Sequence, residues 1–254
     1  MTDAEMGQTL AEICVEAGHL ILPYWRSGTA VMTKADESPV TVADQLGEKL
    51  ILERLLAAFP DIPVISEEDA SEFGTPDAIG PRFFLVDPLD GTKAFVRGDP
   101  NFTVNIGLVQ DRRPVAGAVY APVTEELWWT VPGGVMRTVK GGAPERVAAR
   151  PWPKDAALAL ISHTMKPETT AKLKAEYGFH DTSPMDSSIK FCRIAEGAAD
   201  IYPRHGPTME WDTCAGHAVL EAAGGSVLTP EGTPYLYGKA DEGFRNGWFV
   251  ARGG

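Results

Sequence analysis

Apolar residues at Met6, Leu10, Ile13, Cys14, Ala17, Ile21 and Tyr24 return every three or four positions, the spacing that lines one face of a helix. Thr2 or Asp3 precedes the run as a cap, and the pattern predicts a first helix ending near Gly28. A second helical stripe passes through Leu46, Leu50, Leu55, Leu56 and Phe59. It is entered by Thr41 with Asp44 three residues on, the spacing of a capping box. The texture then turns β-rich. Pro63 to Ser66, Arg82 to Val86, Phe102 to Val109, Val115 to Tyr120, Leu127 to Val131 and Val135 to Val139 are short runs split by turn residues such as Pro132-Gly133-Gly134. Two helices ahead of a string of strands predict an α+β unit.

Beyond Pro151-Trp152-Pro153 the pattern alternates. Strands predicted at Ala157 to Ile161, Ala199 to Tyr202, Ser226 to Leu228 and Trp248 to Val250 are interleaved with helices at Pro167 to Tyr177, Ser187 to Glu196 and Asp212 to Ala222. A boundary near residue 150 divides the chain into an N-terminal α+β half, 1–150, and a C-terminal α/β half, 151–254. That length buries a large core, as one large domain or two small packed ones.

Charge narrows the partners. With 35 acidic against 23 basic residues the formal net charge is −12, which repels a nucleic-acid backbone. A phosphorylated substrate must then be small and assisted by metal. The apolar stretch Leu10 to Trp25 is broken by Glu12, Glu16 and His19, too polar for a transmembrane segment and without the basic start of a signal peptide, so a cytoplasmic address is expected. Cys14, Cys192 and Cys214 are too few and too scattered for a disulfide framework or a zinc site, and read as buried thiols. Gly232 to Lys239 misses the spacing of a phosphate-binding P-loop and reads as a turn.

The candidate chemistry lies in Asp87-Pro88-Leu89-Asp90-Gly91-Thr92, two carboxylates, a main-chain carbonyl and a hydroxyl expected within one tight turn after Phe83-Phe84-Leu85-Val86. Pro88 fixes its own φ and holds Asp87 extended, Gly91 permits a positive φ, and Leu89 can turn its carbonyl outward. Backbone N–H groups at Gly91 and Thr92 can cradle phosphate oxygens. Glu67-Glu68 upstream and Trp211-Asp212 downstream add separated carboxylates, a donor set suited to hard cations such as Mg²⁺. Each piece has a structural reading of its own. Asp-Gly is a routine turn, Glu67-Glu68 suits a solvated loop, Asp44 suits a cap, and Asp212 suits the positive end of a helix. Their joint occurrence at strand ends and helix starts points to a site instead. The chemistry also demands several groups. Hydrolysis of a phosphate monoester needs its barrier lowered by roughly 20 kcal/mol or more, and a lone general base contributes only about 10²–10⁴-fold. Two metal ions can make up much of the difference.

SEE at 66–68, DPLDGT at 87–92 and WDTCAG at 211–216 together resemble the lithium-sensitive, magnesium-dependent inositol monophosphatase superfamily. Within it, KADESPVTVAD at 34–44, FTVNIGLV at 102–109, GAVYAPV at 117–123 and SSIKFCRIAEGAADIYPRHGPT at 187–208 are most similar to the CysQ-type 3′(2′),5′-bisphosphate nucleotidase branch. The resemblance implies an α+β fold, the layered α-β-α-β-α sandwich of the inositol monophosphatase and fructose-1,6-bisphosphatase type. It implies that Glu67, Asp87 and the Leu89 carbonyl hold the ion that activates water, while Asp87, Asp90 and Asp212 hold the one beside the leaving oxygen. A third, weaker magnesium near Glu67 completes the family pattern, with Glu68 as an outer-sphere partner. Thr92, hydrogen-bonded to Asp44, would orient the attacking water. His163, Ser187, Lys190 and Arg204 would line the nucleotide pocket, with Lys190 and Arg204 supplying charge for a second phosphate.

The implied reaction removes the 3′-phosphate of adenosine 3′,5′-bisphosphate, with 3′-phosphoadenosine 5′-phosphosulfate as a second substrate and a link to sulfur assimilation. Alternatives are a phosphatase of inositol monophosphate or histidinol phosphate on the same fold, or a non-catalytic regulator that kept the fold. Loss of a ligand would mark the last, and none is lost. Monomer or homodimer, and any peripheral contact with the inner membrane, stay open.

Overall fold

The computed structural model describes residues 3–28, 31–33 and 39–254. Thr2 and residues 34–38 of the KADESPVTVAD run lie outside the described residues. In chain order the first half holds α1 (Asp3–Ile21), β1 (Val31–Thr33), β2 (Pro39–Thr41), α2 (Val42–Ala58), β3 (Val64–Ser66), α3 (Glu67–Phe73), β4 (Arg82–Asp90) and α4 (Thr92–Arg97). The strands β5 (Thr103–Gln110), β6 (Arg113–Ala121), β7 (Glu126–Val131), β8 (Gly134–Val139) and β9 (Glu145–Val147) follow. The second half runs β10 (Leu158–Ile161), α5 (Pro167–Tyr177), β11 (Asp181–Pro184), α6 (Ile189–Ala195), β12 (Ile201–Arg204) and β13 (Thr208–Met209). It closes with α7 (Glu210–Ala222), β14 (Ser226–Leu228), β15 (Arg245–Asn246) and β16 (Phe249–Arg252).

Among the described residues, β3 to β9 form a seven-stranded sheet in sequence order, and a five-stranded sheet runs β11-β10-β12-β16-β14. Alternation along β4 explains how the large sheet is covered on both faces. Phe84 and Val86 face one way, into a core with Leu10, Cys14 and Ile21 of α1 and Ile51 and Leu55 of α2. Phe83 and Leu85 face the other, into a core shared with Phe191 of α6, Cys214 and Val219 of α7, and Tyr202 and Phe249 of the second sheet. Leu173 of α5 then closes the far face of that sheet over Ala159, Ile201 and Val250. The layers therefore follow the order helix, sheet, helix, sheet, helix. No helix among the described residues is long and apolar enough to cross a membrane.

Glycine sets the spacing of the central layer. A Cβ on Gly107 of β5 would lie 2.5 Å from Cys214 Sγ, and one on Gly117 of β6 would lie 2.7 Å from the Ala215 carbonyl oxygen. α7 thus rests directly on backbone, which brings its first turn down to the end of β4. All three cysteines are buried free thiols.

Several boundaries differ from the periodicity. The first α-helix stops at Ile21, short of Gly28, because Pro23 brings no N–H to continue the ladder and the chain tightens into a 3₁₀ turn at Leu22–Tyr24. α6 starts at Ile189 rather than Ser187, whose φ of +57° is left-handed. DPLDGT is no isolated tight turn. β4 continues through it to Asp90, pairing Asp87 with Asn105 and Asp90 with Thr103, so one extra residue bulges out between them. Pro88 sits in that bulge, where its missing N–H interrupts no ladder bond.

Candidate active site

The bulge in β4 turns the two aspartates of the motif toward one cavity of about 360 Å³, which Asp87, Leu89 and Asp90 line together with Glu67, Asp212 and Arg204. Asp87 Oδ1 accepts the Leu89 N–H at 2.9 Å, which folds the bulge back on itself and leaves Oδ2 for another partner. Gly91 follows with φ +98°, and a Cβ there would meet the Asn101 carbonyl oxygen at 3.0 Å, so the chain can pivot into α4 only at glycine. Thr92 opens that helix.

Its hydroxyl lies 3.2 Å from Asp44 Oδ1 and 3.2 Å from the Leu89 carbonyl oxygen. The other oxygen of Asp44 accepts both the backbone N–H and the hydroxyl of Thr41, each at 2.7 Å. Asp44 therefore caps α2 and holds Thr92 at once.

Glu67 comes from the first turn of α3, directly after the parallel strand β3. The start of that helix is pinned from below by Glu48 of α2, whose Oε1 accepts the N–H groups of Glu68 at 2.9 Å and Asp69 at 3.3 Å. Asp212 is the third residue of α7, which begins two positions earlier than its periodicity predicts. Its Oδ2 accepts the Met209 N–H at 2.8 Å and so locks the strand-to-helix entry. Carboxylate oxygens of Glu67, Asp87 and Asp212 converge to within 4.8 Å of one another. Asp90 stands beside this trio in the same cavity, its Oδ2 accepting the N–H of Ser188. Ser188 is itself tied to β5 through Asn105 Oδ1 at 2.6 Å and Thr103 Oγ1 at 3.0 Å.

Electrostatics suits the cluster to a cation. Burial, then the charges of Glu67, Asp90 and Asp212, push the Asp87 carboxyl well above its usual range. Burial does the same to Asp212, aided by Asp90 and Glu67. Asp90 is raised to about 6 by burial, with Lys190 and the Ser188 N–H opposing. Carboxylates packed this closely around the buried Asp87 cannot all ionise together unless positive charge joins them. The donor set is entirely oxygen, the Leu89 carbonyl included, and fits a hard divalent cation.

The remaining expected residues lie around the opening. Gly91, His163 and Ser187 line the cavity, and His163 Nδ1 lies 3.3 Å from Asp186 Oδ1. Lys190 lines it too, yet is only 3% exposed, so a merely solvated role is excluded. Its ammonium donates to the Ser187 carbonyl at 2.6 Å and the Met185 carbonyl at 3.2 Å, and burial lowers its pKa to about 8. Arg204 donates to the Pro207 carbonyl at 2.9 Å. Glu68 lines a separate cavity with Glu48 and Asp69. Lys93, Arg97, Ser162 and Asp186 line the main cavity although sequence reasoning did not name them. The helical spacing of Lys93 and Arg97 was the available signal, hidden because α4 itself was not predicted.

Comparison with known proteins identifies the family and the fold. A sequence model of the inositol monophosphatase family matches residues 3–249. The chain is 42% identical over 206 residues to the 3′(2′),5′-bisphosphate nucleotidase CysQ of Salmonella typhimurium, covering 80% of this chain and 81% of that one. It is 35% identical to the protein of the same name from Buchnera aphidicola, covering 97% and 93%. The crystal structure of CysQ from Bacteroides thetaiotaomicron superposes with a TM-score of 0.79 at 34% identity, covering 98% of this chain and 97% of that one. With its carboxylate cluster, its layered fold and a match over almost its whole length, the chain belongs to the inositol monophosphatase family.

Proposed function

We propose that the chain is a magnesium-dependent phosphomonoesterase that removes the 3′-phosphate of adenosine 3′,5′-bisphosphate, giving AMP and inorganic phosphate. 3′-Phosphoadenosine 5′-phosphosulfate, with the same reacting end, is its second substrate. The observation that carries this reading is the convergence of Glu67, Asp87 and Asp212 within 4.8 Å beside the Thr92–Asp44 pair. The relatives named CysQ support the nucleotide over other phosphate esters. Such chemistry suits a cytoplasmic enzyme, acting as a monomer or homodimer.

Residues 1–150 would supply most of the metal ligands, and 151–254 would supply Asp212 and the substrate pocket. Glu67, Asp87 and the Leu89 carbonyl would hold one magnesium ion, and Asp87, Asp90 and Asp212 a second, with a third, weaker ion near Glu67. When bound, the ions supply Lewis acidity, lowering the pKa of the attacking water and offsetting charge on the phosphoryl group. The protein's own part is aim. Ionised Asp44 can only accept, so the Thr92 hydroxyl spends its single proton inside the protein and turns lone pairs toward the cavity. A water donating to those lone pairs has its own oxygen directed at phosphorus. Its oxygen bonds to phosphorus as the bond to the ribose 3′ oxygen breaks, and water supplies the proton that the departing oxygen takes up.

Phosphate release with magnesium across adenosine 3′,5′-bisphosphate, inositol monophosphate and histidinol phosphate tests the assignment. The bisphosphate should give the highest kcat/KM, and a preference for inositol monophosphate would overturn it.

A further inference from the structure

Glu210 opens α7 and is fully buried. Two positions along a helix are turned about 200° apart, so its carboxylate leaves α7 on the side opposite Asp212. Thr213 and His217, three and seven positions on, return to the side of Glu210, and all three meet one segment, residues 235–246. Glu210 Oε2 accepts the Gly238 N–H at 2.8 Å, and Oε1 accepts the Lys239 N–H at 3.1 Å and its ammonium at 2.6 Å. Tyr237 donates its hydroxyl to Thr213 Oγ1 at 3.2 Å, Asn246 donates its amide to the same oxygen at 3.0 Å, and His217 Nδ1 lies 3.0 Å from the Tyr237 hydroxyl. The Gly232 to Lys239 run, which misses the spacing of a P-loop, thus ends on the counter-ion of a buried carboxylate.

Resting on the magnesium site proposed above, we propose that residues 235–246 clasp α7 from behind, with Glu210 as the central positioning residue, and that this clasp sets the selectivity of the site for Mg²⁺ over the larger Ca²⁺. Cys214 and Ala215 of α7 lie on the backbone of Gly107 and Gly117, a contact that sets how near the helix sits but offers no side chain to stop it rolling. The polar stripe supplies that stop. A side-chain tip stands roughly 5–6 Å from a helix axis, so a roll of about 10° would move an Asp212 oxygen by about 1 Å. Mg²⁺ demands near-octahedral bonds of about 2.0–2.1 Å, whereas Ca²⁺ accepts about 2.3–2.6 Å and irregular geometry. Freedom of that size in one ligand therefore costs Mg²⁺ more than Ca²⁺. A buried carboxylate is costly unless paired, and pairing it with Lys239 and two N–H groups fixes its direction.

Calorimetry of Mg²⁺ and of Ca²⁺ binding to the full chain, well below its melting temperature, tests the clasp. Glu210→Gln and Lys239→Met should each weaken Mg²⁺ on the order of tenfold and Ca²⁺ less than about threefold, so the ratio of affinities falls. Thr213→Val, which removes only a hydroxyl, should shift the ratio the same way by about two- to threefold, and it decides the matter if the charge variants fail to fold. Asp200→Asn is the control. It loosens a buried carboxylate that accepts from Arg150 at 2.7 Å at the opposite end of β12 from Arg204, and should lower Tm while leaving the ratio in place. Equal losses for both ions, an unchanged ratio, or a ratio that falls as far in Asp200→Asn would overturn the clasp and leave the magnesium reading intact. Wild-type protein that binds no Mg²⁺ would instead remove the reading on which the clasp rests.

Discussion

Asp44 shows how one carboxylate can serve structure and chemistry through different atoms. Oδ2 closes the capping box with Thr41 while Oδ1 takes the Thr92 hydroxyl. The two roles separate by mutation. Thr92→Ala should lower kcat on the order of 10²-fold without a matching loss of thermal stability, whereas Asp44→Asn should lower kcat and also cost about 1 kcal/mol of folding stability. Paired kcat and Tm measurements decide, and an Asp44→Asn variant of full stability would remove the cap from the account. Asp87 and Asp212 obey a related logic with opposite sign. Burial and like charges raise Asp87 and Asp212, so in metal-free protein each ionised carboxylate opposes folding. Asp87→Asn should raise the Tm of the metal-free protein by a few degrees, roughly what 1 kcal/mol brings at this size, and should abolish the further rise that magnesium gives wild type. A variant that keeps the magnesium response would exclude Asp87 as a ligand. The carboxylates that converge here, Glu67, Asp87 and Asp212, could be named from the chain because such residue types stand out beside Pro88 and Gly91, whereas Lys93, Arg97, Ser162 and Asp186 carried no such mark. The cap was readable from spacing, whereas the contact of Asp44 with Thr92 came only from the family resemblance, since it depends on where Thr92 arrives.

Legibility among the elements followed length and period. The long stripes of α1 and α2 and the alternation along β4 to β8 were readable because several turns or strand repeats report the same face. α3 and α4, with 7 and 6 residues, are too short for any period to register, and both begin at site residues whose composition reads as loop. β11, Asp181–Pro184, has little strand propensity and forms because β10 offers it a parallel edge. The missed α3 is also where a positioning residue acts. Glu48 fixes its first N–H groups and thereby the approach of Glu67. Glu48→Ala should weaken magnesium binding several-fold by calorimetry, while Glu48→Gln, which keeps an acceptor oxygen, should recover most of it. Equal loss in both would show that α3 does not depend on this contact. α7 depends on glycine in the same way. Gly107→Ala would drive a methyl group into Cys214 Sγ and the Ala215 backbone and should cost ~1–3 kcal/mol in chemical denaturation, with Asp212 displaced along with its helix.

At the scale of the whole molecule, the seven-stranded sheet is joined to the central helices by a network of charge as well as by apolar packing. Glu126 on β7 accepts from Arg193 of α6 at 2.8 and 2.6 Å and from Arg137 of β8 at 2.7 Å. Glu196, just beyond α6, returns the contact to Arg193 at 2.8 Å and accepts the Trp128 indole N–H at 3.0 Å. Burial alone would raise the Glu126 pKa, but the hydrogen bonds from Arg193 and Arg137 outweigh it and hold the carboxyl at about 2. A carboxyl depressed from 4.5 to about 2 contributes stability that is present in full above 4.5 and drains away as pH falls toward 2. The site carboxylates act in the opposite sense. Asp90, raised to about 6, opposes folding when ionised, and that opposition fades as pH falls through 6. Metal-free protein should therefore be most stable between these two windows, with Tm rising as pH falls through 6 and dropping below 4.5. Saturating magnesium should flatten the upper limb, because the ion already offsets the charge that protonation would remove. Glu126→Gln should make the lower limb shallower and leave the upper one in place. A thermal melt series from pH 8 to pH 3, with and without magnesium, reads both limbs; an acid limb of unchanged steepness in Glu126→Gln would remove Glu126 as its source.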